Sequence, residues 1–185
     1  MARRIVNSMN YASDKTGLKK LTSAISTVKT PQYRDALTQR LDVLLKFGKG
    51  DAAINFSAVD LDGNPVDLNK LKGKVIYVDV WATWCGPCSD QMPSYEKLKQ
   101  KYKDNGNVAF VSLSIDDNAA YWKKNVAARK ADGIQWLVSR NKLLDYNVAG
   151  IPRAIIIDKS FRIANLYAPD PSSITTEKMI NELLK

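Results

Sequence analysis

The only two cysteines of this 185-residue chain lie three positions apart, at Cys85 and Cys88. They follow the apolar run 75–81, whose β-branched and aromatic side chains are typical of a buried strand. Residues 89–102 then carry apolar side chains every three or four positions, which predicts a helix. The cysteine pair is therefore expected where a buried strand ends and a helix begins, and this junction limits the folds that the chain can adopt.

A cysteine at such a junction has an unusual chemical environment. The first turn of a helix offers unpaired backbone N–H groups and the positive end of the helix dipole. These features favour a thiolate and can lower a cysteine pKa from about 8.5 to roughly 3.5–7.5. We expect this effect at Cys85. Gly86 lets a partner chain approach closely, and the φ angle of Pro87 suits a first helical turn. Cys88, one turn further on, is placed to attack a mixed disulfide formed at Cys85, so the pair predicts redox chemistry.

The stretch Trp84-Cys85-Gly86-Pro87-Cys88 is similar to the active-site motif of thioredoxins. The resemblance implies a thiol-disulfide oxidoreductase that exchanges disulfides with protein substrates and uses the Cys85–Cys88 disulfide as its redox centre. It implies no metal, flavin or nucleotide cofactor. The Gly-Pro pair between the cysteines resembles the reducing members of the superfamily, so we expect a reductant. Trp84 is expected at a loop tip, where it covers the disulfide or contacts substrate.

Two further residues lie at the offsets of the thioredoxin pattern. Asp79, six residues before Cys85, resembles the buried acid of thioredoxins, and Pro93 resembles the proline that kinks their active-site helix. Because Asp79 is alone in an apolar strand, its pKa is expected to be raised. The resemblance implies that Asp79 accepts the proton of the Cys88 thiol. The alternative is an acid at a strand edge, paired with a lysine.

Gly150-Ile151-Pro152 resembles the cis-proline loop of thioredoxins. The resemblance implies a cis bond before Pro152 and an Ile151 backbone that pairs with an extended substrate segment. Arg153 follows this loop, and its charge would favour acidic substrate surfaces.

The resemblance covers about residues 50–185, and the sequence around the motif resembles more closely the membrane-associated or periplasmic branch that is typified by TlpA and ResA. That likeness extends through residues 51–63 and 71–74. The branch usually has a glutamate three residues after its second cysteine, whereas this chain has Gln91. Proton transfer must then proceed without that glutamate or rely on Asp79.

The pattern and the resemblance together predict an α/β, thioredoxin-like fold for residues 50–185. It has a central mixed β-sheet flanked by helices, an N-terminal β-hairpin and an inserted helix. The tryptophans Trp122 and Trp136 and the tyrosines are interpreted as core residues. The predicted elements are a hairpin about 62–64, strands at 75–81, 108–115 and 135–139, a helix capped by 116–118, a short helix at 142–146, a hairpin about 159–160 and a last helix at 175–184.

Residues 1–49 are predicted to form a helical N-terminal extension of two amphipathic helices. The first carries an apolar stripe within residues 18–28, and the second begins at Thr30 and Pro31 and stops near Gly48. The extension is either packed on the redox domain or the tail end of a missing upstream domain, and the TlpA-like pattern favours the latter.

The basic charge of the chain, +9 in total, is concentrated in this extension, where ten Lys and Arg accompany three Asp. One interpretation is attraction to anionic lipid or to an acidic partner. The interpretation that we prefer is a solvated helix face, because the charges are spread rather than clustered. Nucleic acid is not expected as a partner, since no aromatic and basic binding motif accompanies the charge.

The cellular compartment is predicted from the resemblance, which implies the periplasm or the cell envelope. No apolar stretch approaches the roughly 20 residues that span a bilayer. The first seven residues begin like a signal peptide but lack its apolar region. A cytoplasmic protein is therefore the alternative. In either compartment an electron-donor protein is required, and a membrane-bound donor is one option.

Other types of cysteine site were compared with this prediction. A closed zinc site needs four ligands, and the chain has two cysteines and no histidine. A redox-inert disulfide would leave a thioredoxin-fold binding module that holds a partner in the cis-proline groove. A peroxiredoxin-like peroxidase normally has threonine three residues before its reactive cysteine, where this chain has Ala82. The oxidoreductase prediction explains the whole pattern best.

Overall fold

The computed structural model describes residues 2–11, 15–148 and 150–185. Seven strands of this described part form one sheet, in the spatial order β2-β1-β5-β4-β3-β6-β7. The strands are β1 (Ser57–Val59), β2 (Pro65–Asp67), β3 (Val75–Trp81), β4 (Val108–Ser114), β5 (Ile134–Leu137), β6 (Arg153–Ile157) and β7 (Ile163–Ala168). Strands β3, β4 and β5 are parallel, whereas β6 and β7 are antiparallel additions, so the predicted mixed sheet is confirmed.

The central position of β3 explains its composition. All seven of its residues are buried, as expected for a strand that is covered on both faces. Helix α5 (Gly86–Lys101), which follows the cysteine loop, connects β3 to its parallel partner β4. A parallel crossover of this kind is right-handed and packs its helix against the sheet. The cysteine loop therefore lies at the carboxyl end of the central strand.

The inserted helix predicted after residues 116–118 is α6 (Ala119–Ala128), and it connects β4 to β5. Its N-cap is Asn118, whose side chain accepts a hydrogen bond from the Tyr121 N–H group. The last helix, α7 (Ile174–Leu184), packs beside α5, and the Lys101 ammonium lies 2.5 Å from the Glu177 carboxylate.

The prediction of two helices in the extension is wrong. Four helical segments occur among its described residues: α1 (Ala2–Tyr11), α2 (Lys15–Lys19), α3 (Leu21–Ser26) and α4 (Pro31–Lys46). The stripe expected as one helix is split at Lys20, although its apolar side chains still face the core. Among the described side chains of helix α1, Ile5 and Met9 are buried, and two positions are too few to define an apolar stripe.

Helix α4 begins after Thr30 with Pro31 in its first turn, as predicted. It ends at Lys46, two residues before Gly48, where it was expected to stop, and the extended Phe47 provides the C-cap. The buried residues of α4 are Leu37, Leu41 and Leu44, and they are continuous with the core of the sheet. The extension therefore packs on the rest of the described chain, while the division at residue 50 stays a prediction.

Some core predictions differ from the structure. Trp122 and Trp136 are buried, as predicted, but Tyr33 and Tyr121 are exposed. Tyr121 precedes Trp122 on α6, and neighbouring helical positions point about 100° apart, so only one of the two faces the sheet. The short helix expected at 142–146 is a 3₁₀ turn at Arg140–Leu143.

The longest helices of the described chain, α4 and α5, have 16 residues each. None of the described helices combines the length and the apolar character that crossing a membrane requires.

Candidate functional site

Cys85 and Cys88 form a disulfide bond at the junction between β3 and α5. Cys85 is the N-cap of α5 and has an extended backbone conformation. Its Sγ accepts a hydrogen bond from the backbone N–H of Cys88, at 3.2 Å. Pro87 lies in the first turn, where its missing N–H group leaves no helical hydrogen bond unmade. The helix therefore presents a backbone donor to the sulfur of its capping residue.

Both cysteines are buried, and they differ in their place on the helix. Cys85 keeps 5% of its surface exposed and caps the start of α5, whereas Cys88 keeps 2% and lies inside the first turn. Trp84, immediately before Cys85, is 63% exposed, and Gly86 and Pro87 are exposed beside it. The disulfide is thus bordered by an exposed aromatic side chain and by an open helix start.

Asp79 lies in β3, two residues before the strand ends, and its carboxyl is buried. Burial raises the pKa of Asp79 to about 7, because the ionised carboxylate loses its hydration. The positive charge of Arg129 opposes this rise, and the negative charge of Glu96 adds to it. A carboxyl with a pKa near neutrality can accept and release protons under ordinary conditions.

Arg129 follows the last turn of α6, and sequence reasoning did not identify it as a site residue. Its guanidinium carbon lies 4.3 Å from the centre of the Trp81 ring. Glu96, on α5, is held by Lys99 at 2.5 Å, and Lys99 also contacts Asp132. Arg129, Glu96 and Asp132 border an open cavity of about 450 Å³ between α5 and the end of α6. No local pattern marks Arg129, since its contact with Trp81 spans 48 residues of sequence.

Asp116 was predicted to help to cap α6, but its carboxylate instead anchors the loop before the cysteines. It accepts the Thr83 hydroxyl at 2.6 Å and the Thr83 N–H group at 3.0 Å. It also accepts the Ser114 hydroxyl at 2.6 Å. The available signal was its position directly after a buried strand, in a run of polar residues that also includes the true cap, Asn118.

The loop before β6 contains a cis peptide bond between Ile151 and Pro152. Both residues are half-buried, and Gly150 is exposed. Strand β6 begins with Arg153, which pairs with Val80 of β3 in antiparallel register. This register places the cis-proline loop beside the end of β3 that leads to the cysteines. Residue 149 lies outside the described residues.

Two predicted support residues lie on α5. Gln91 is half-buried, one turn beyond Cys88, and it supplies an amide where the TlpA-like pattern has a carboxylate. Pro93 lies inside the helix and is exposed. Within the described ranges, no group of three or more Cys, Asp or Glu side chains is arranged to hold a metal ion.

Comparisons with known proteins agree with this geometry. Residues 48–184 match the sequence profile of the Redoxin family. The thiol-disulfide oxidoreductase ResA of Bacillus thuringiensis (strain Al Hakam) is 33% identical over 118 residues. That alignment covers 62% of this chain and spans 66% of the length of the curated relative, just under two thirds.

Solved structures extend the likeness to the fold. A crystal structure from Bacteroides vulgatus, assigned as a thiol-disulfide oxidoreductase, is 38% identical with a TM-score of 0.70. The match covers 73% of this chain and 96% of that chain. The thioredoxin domain of a second thiol-disulfide oxidoreductase from Bacteroides vulgatus is 30% identical, with a TM-score of 0.64, over 72% of this chain and 98% of that chain.

These relatives confirm the predicted thioredoxin-like fold and the predicted resemblance to ResA-like thiol-disulfide oxidoreductases. The chain belongs to the redoxin family and is similar to thiol-disulfide oxidoreductases of the ResA type.

Proposed function

We propose that the reduced protein cleaves disulfides in protein substrates. The observation that carries this proposal is the Cys85–Cys88 disulfide at the start of α5, with Cys85 as the N-cap residue beside the exposed Trp84. In the forward reaction, the Cys85 thiolate attacks one substrate sulfur and releases the other as a thiol. Cys88 then attacks Cys85, which releases the second substrate thiol and leaves the oxidised pair.

Asp79 is proposed to move the proton in the second step. The Cys88 thiol must lose its proton before it can attack the mixed disulfide. Asp79 is buried in β3 and has a pKa of about 7, so it is ionised in a substantial fraction of molecules at neutral pH. An ionised carboxylate can accept the thiol proton and return it later. Because Gln91 has no carboxyl group, Asp79 is the proposed acceptor.

The substrate is proposed to bind along the cis-proline loop. The backbone of Ile151 is offered to an extended substrate segment, while Pro152 and Gly150 shape the loop. Trp84 provides an exposed apolar surface on the other side of Cys85. This arrangement suits a protein or peptide disulfide better than a small-molecule disulfide, because it offers contacts to the main chain as well as to sulfur.

The direction of electron flow is proposed to be reductive. The Gly86-Pro87 pair resembles that of reducing thioredoxins, and a donor dithiol must then reduce the Cys85–Cys88 disulfide again. The proposed compartment is the periplasm or the cell envelope, with the cytoplasm as the alternative. Residues 1–49 are proposed to be an extension of the redox domain at 50–185, and their basic charge is available for an acidic partner or a membrane surface.

A trapping experiment tests the proposal. The Cys88→Ser variant should accumulate a covalent mixed disulfide with a protein substrate, because the resolving thiol is missing. The Cys85→Ser variant is the matched control and should trap nothing. Equal trapping by both variants would contradict the assigned roles, and the absence of trapping would favour an inert binding module. Consumption of hydroperoxide without a disulfide substrate would instead indicate a peroxidase.

A further inference from the structure

The Tyr167 ring in β7 contacts two arginines from distant parts of the chain. The guanidinium carbon of Arg153 lies 3.7 Å from the centre of the ring. The guanidinium carbon of Arg40 lies 5.2 Å from the same centre. Tyr167 is buried, so both contacts are partly removed from water, where a cation–aromatic contact is stronger than at an exposed site.

Arg153 connects this ring to the cis-proline loop. It directly follows Pro152, and its Nη1 lies 3.5 Å from the carbonyl oxygens of Asn147 and Leu166. The guanidinium group therefore contacts the start of the loop, the neighbouring strand and the Tyr167 ring together.

Asn147 forms the opposite end of the same loop. Its amide nitrogen Nδ2 donates a hydrogen bond to the Tyr167 hydroxyl at 2.6 Å. Asn147 has a positive φ of 50°, a conformation that asparagine tolerates better than most residues. Both ends of the 147–153 segment are thus attached to one tyrosine side chain.

Arg40 connects the same ring to the N-terminal helices, because it lies on α4. A second contact supports this arrangement. Phe47, the C-cap of α4, packs edge-on against Tyr146 with the ring centres 5.3 Å apart. Tyr146 directly precedes Asn147, and its hydroxyl donates to the Ile54 carbonyl oxygen at 2.6 Å. Helix α4 and its C-cap therefore contact both the residue before the loop and the ring that holds the loop.

We propose that Arg40 is a positioning residue for the cis-proline loop, and that the N-terminal helices act through it on the binding of protein substrates. This inference rests on the proposed function, since the loop matters only if substrates pair with it. Arg40 holds the Tyr167 ring from one element while Arg153 and Asn147 hold the loop to the same ring. Loss of the Arg40 contact leaves the loop with more conformational freedom, which a substrate must restrict on binding.

The effect should appear in substrate binding and not in sulfur chemistry. Insulin presents a protein disulfide that needs the loop, whereas 5,5′-dithiobis(2-nitrobenzoic acid) is a small disulfide that needs only an accessible sulfur. In the Arg40→Gln variant, the KM for insulin should rise about fivefold, as expected for the loss of one cation–aromatic contact. The kcat and the rate with the small disulfide should stay at their wild-type values. The Arg40→Lys variant should restore part of the loss, because it keeps the positive charge.

The matched control is Arg34→Gln, which removes the same charge from the same helix at a side chain that is 42% exposed and lies 4.0 Å from Asp35. This control should keep the wild-type KM. An equal rise in Arg34→Gln would overturn the proposal, because net charge would then explain the effect. An equal loss with the small disulfide would also overturn it, because the dithiol itself would then be damaged.

A measurement without substrate separates this inference from the proposed function. Backbone amides of Val148 and Ile151 should exchange hydrogen faster in Arg40→Gln than in the wild-type protein or in Arg34→Gln. Unchanged exchange would contradict the positioning role whether or not the protein is an active reductase. Wild-type protein that reduces neither disulfide would contradict the proposed function alone.

Discussion

The guanidinium group of Arg129 lies over the ring of Trp81, with 4.3 Å between the guanidinium carbon and the ring centre. Trp81 is two residues after Asp79 in β3, so both side chains point to the same face of the sheet. Arg129, the C-cap of the inserted helix α6, therefore places a positive charge near the buried carboxyl of Asp79. Its charge lowers the pKa of Asp79, while burial raises it by more, to about 7.

Replacing Arg129 by glutamine should therefore raise the pKa of Asp79 further. Because Arg129 is exposed, solvent screens its charge, and we expect a rise of about half a pH unit. Carbon-13 NMR titration of the Asp79 carboxyl group in the reduced protein measures this value. Arg129→Lys should leave it nearly unchanged. Lys130→Gln removes a neighbouring exposed charge, and an equal rise there would mean that Arg129 has no specific effect.

The raised pKa of Asp79 makes stability depend on pH. The carboxyl ionises near pH 3.8 in the unfolded chain but near pH 7 in the native protein. The native state thus binds more protons between these values, and the free energy of unfolding falls as the pH rises through this window. Asp79→Asn should increase the free energy of unfolding by on the order of 3 kcal/mol at pH 8 and have little effect at pH 4.

Urea unfolding of the oxidised protein at both pH values measures this difference. Asp90→Asn, at an exposed position on α5, is the matched control and should change neither value appreciably. If Asp79→Asn increases the free energy of unfolding by the same amount at pH 4 and pH 8, folding does not raise the pKa of Asp79.

The carboxylate of Asp116 should contribute strongly to stability. It is buried and accepts hydrogen bonds from Thr83 and Ser114. Asp116→Ala leaves these donors without their acceptor, and we expect a loss of about 2–4 kcal/mol in the free energy of unfolding. Asp117→Ala, at the next and exposed position, should change it by less than about 0.5 kcal/mol. Similar losses from both substitutions in urea unfolding would contradict the anchoring role of Asp116.

Alkylation should reveal the reactivity of Cys85. In reduced Cys88→Ser protein, the rate of reaction with iodoacetamide should rise with pH. The midpoint of this rise should lie below about 8.5, because the start of α5 stabilises the thiolate. Cys88, as the single cysteine of Cys85→Ser protein, should react more slowly because it is less exposed. A Cys85 midpoint at or above that of free cysteine would show that the helix start does not lower its pKa.

Several elements were predictable because their signals are local. The apolar run 75–81 and the helical spacing after it placed the cysteines between β3 and α5. The turn residues at 62–64 and 159–160 marked both hairpins, and the long connection between β3 and β4 implied their parallel pairing. The cis bond before Pro152 was expected from the resemblance to thioredoxins and is present.

Other features were missed for a different reason. The break at Lys20 was not visible, because one apolar stripe can continue across two short helices when both pack on the same surface. Asp116 and Asn118 both suit a helix cap, and local pattern could not show that Asp116 turns to Thr83. The contact between Arg129 and Trp81 joins residues 48 positions apart, for which no periodicity exists.

The amino-acid order specifies the strand, the helix start and the two sulfurs, because hydrophobic period, capping and covalent spacing act over a few residues. The folded chain adds the surroundings of those sulfurs. Burial of Asp79, the charge of Arg129 beside it and the attachment of the cis-proline loop to Tyr167 arise when distant elements pack together. Desolvation and charge interactions depend on distance in space, so they follow from the packing and not from the local pattern.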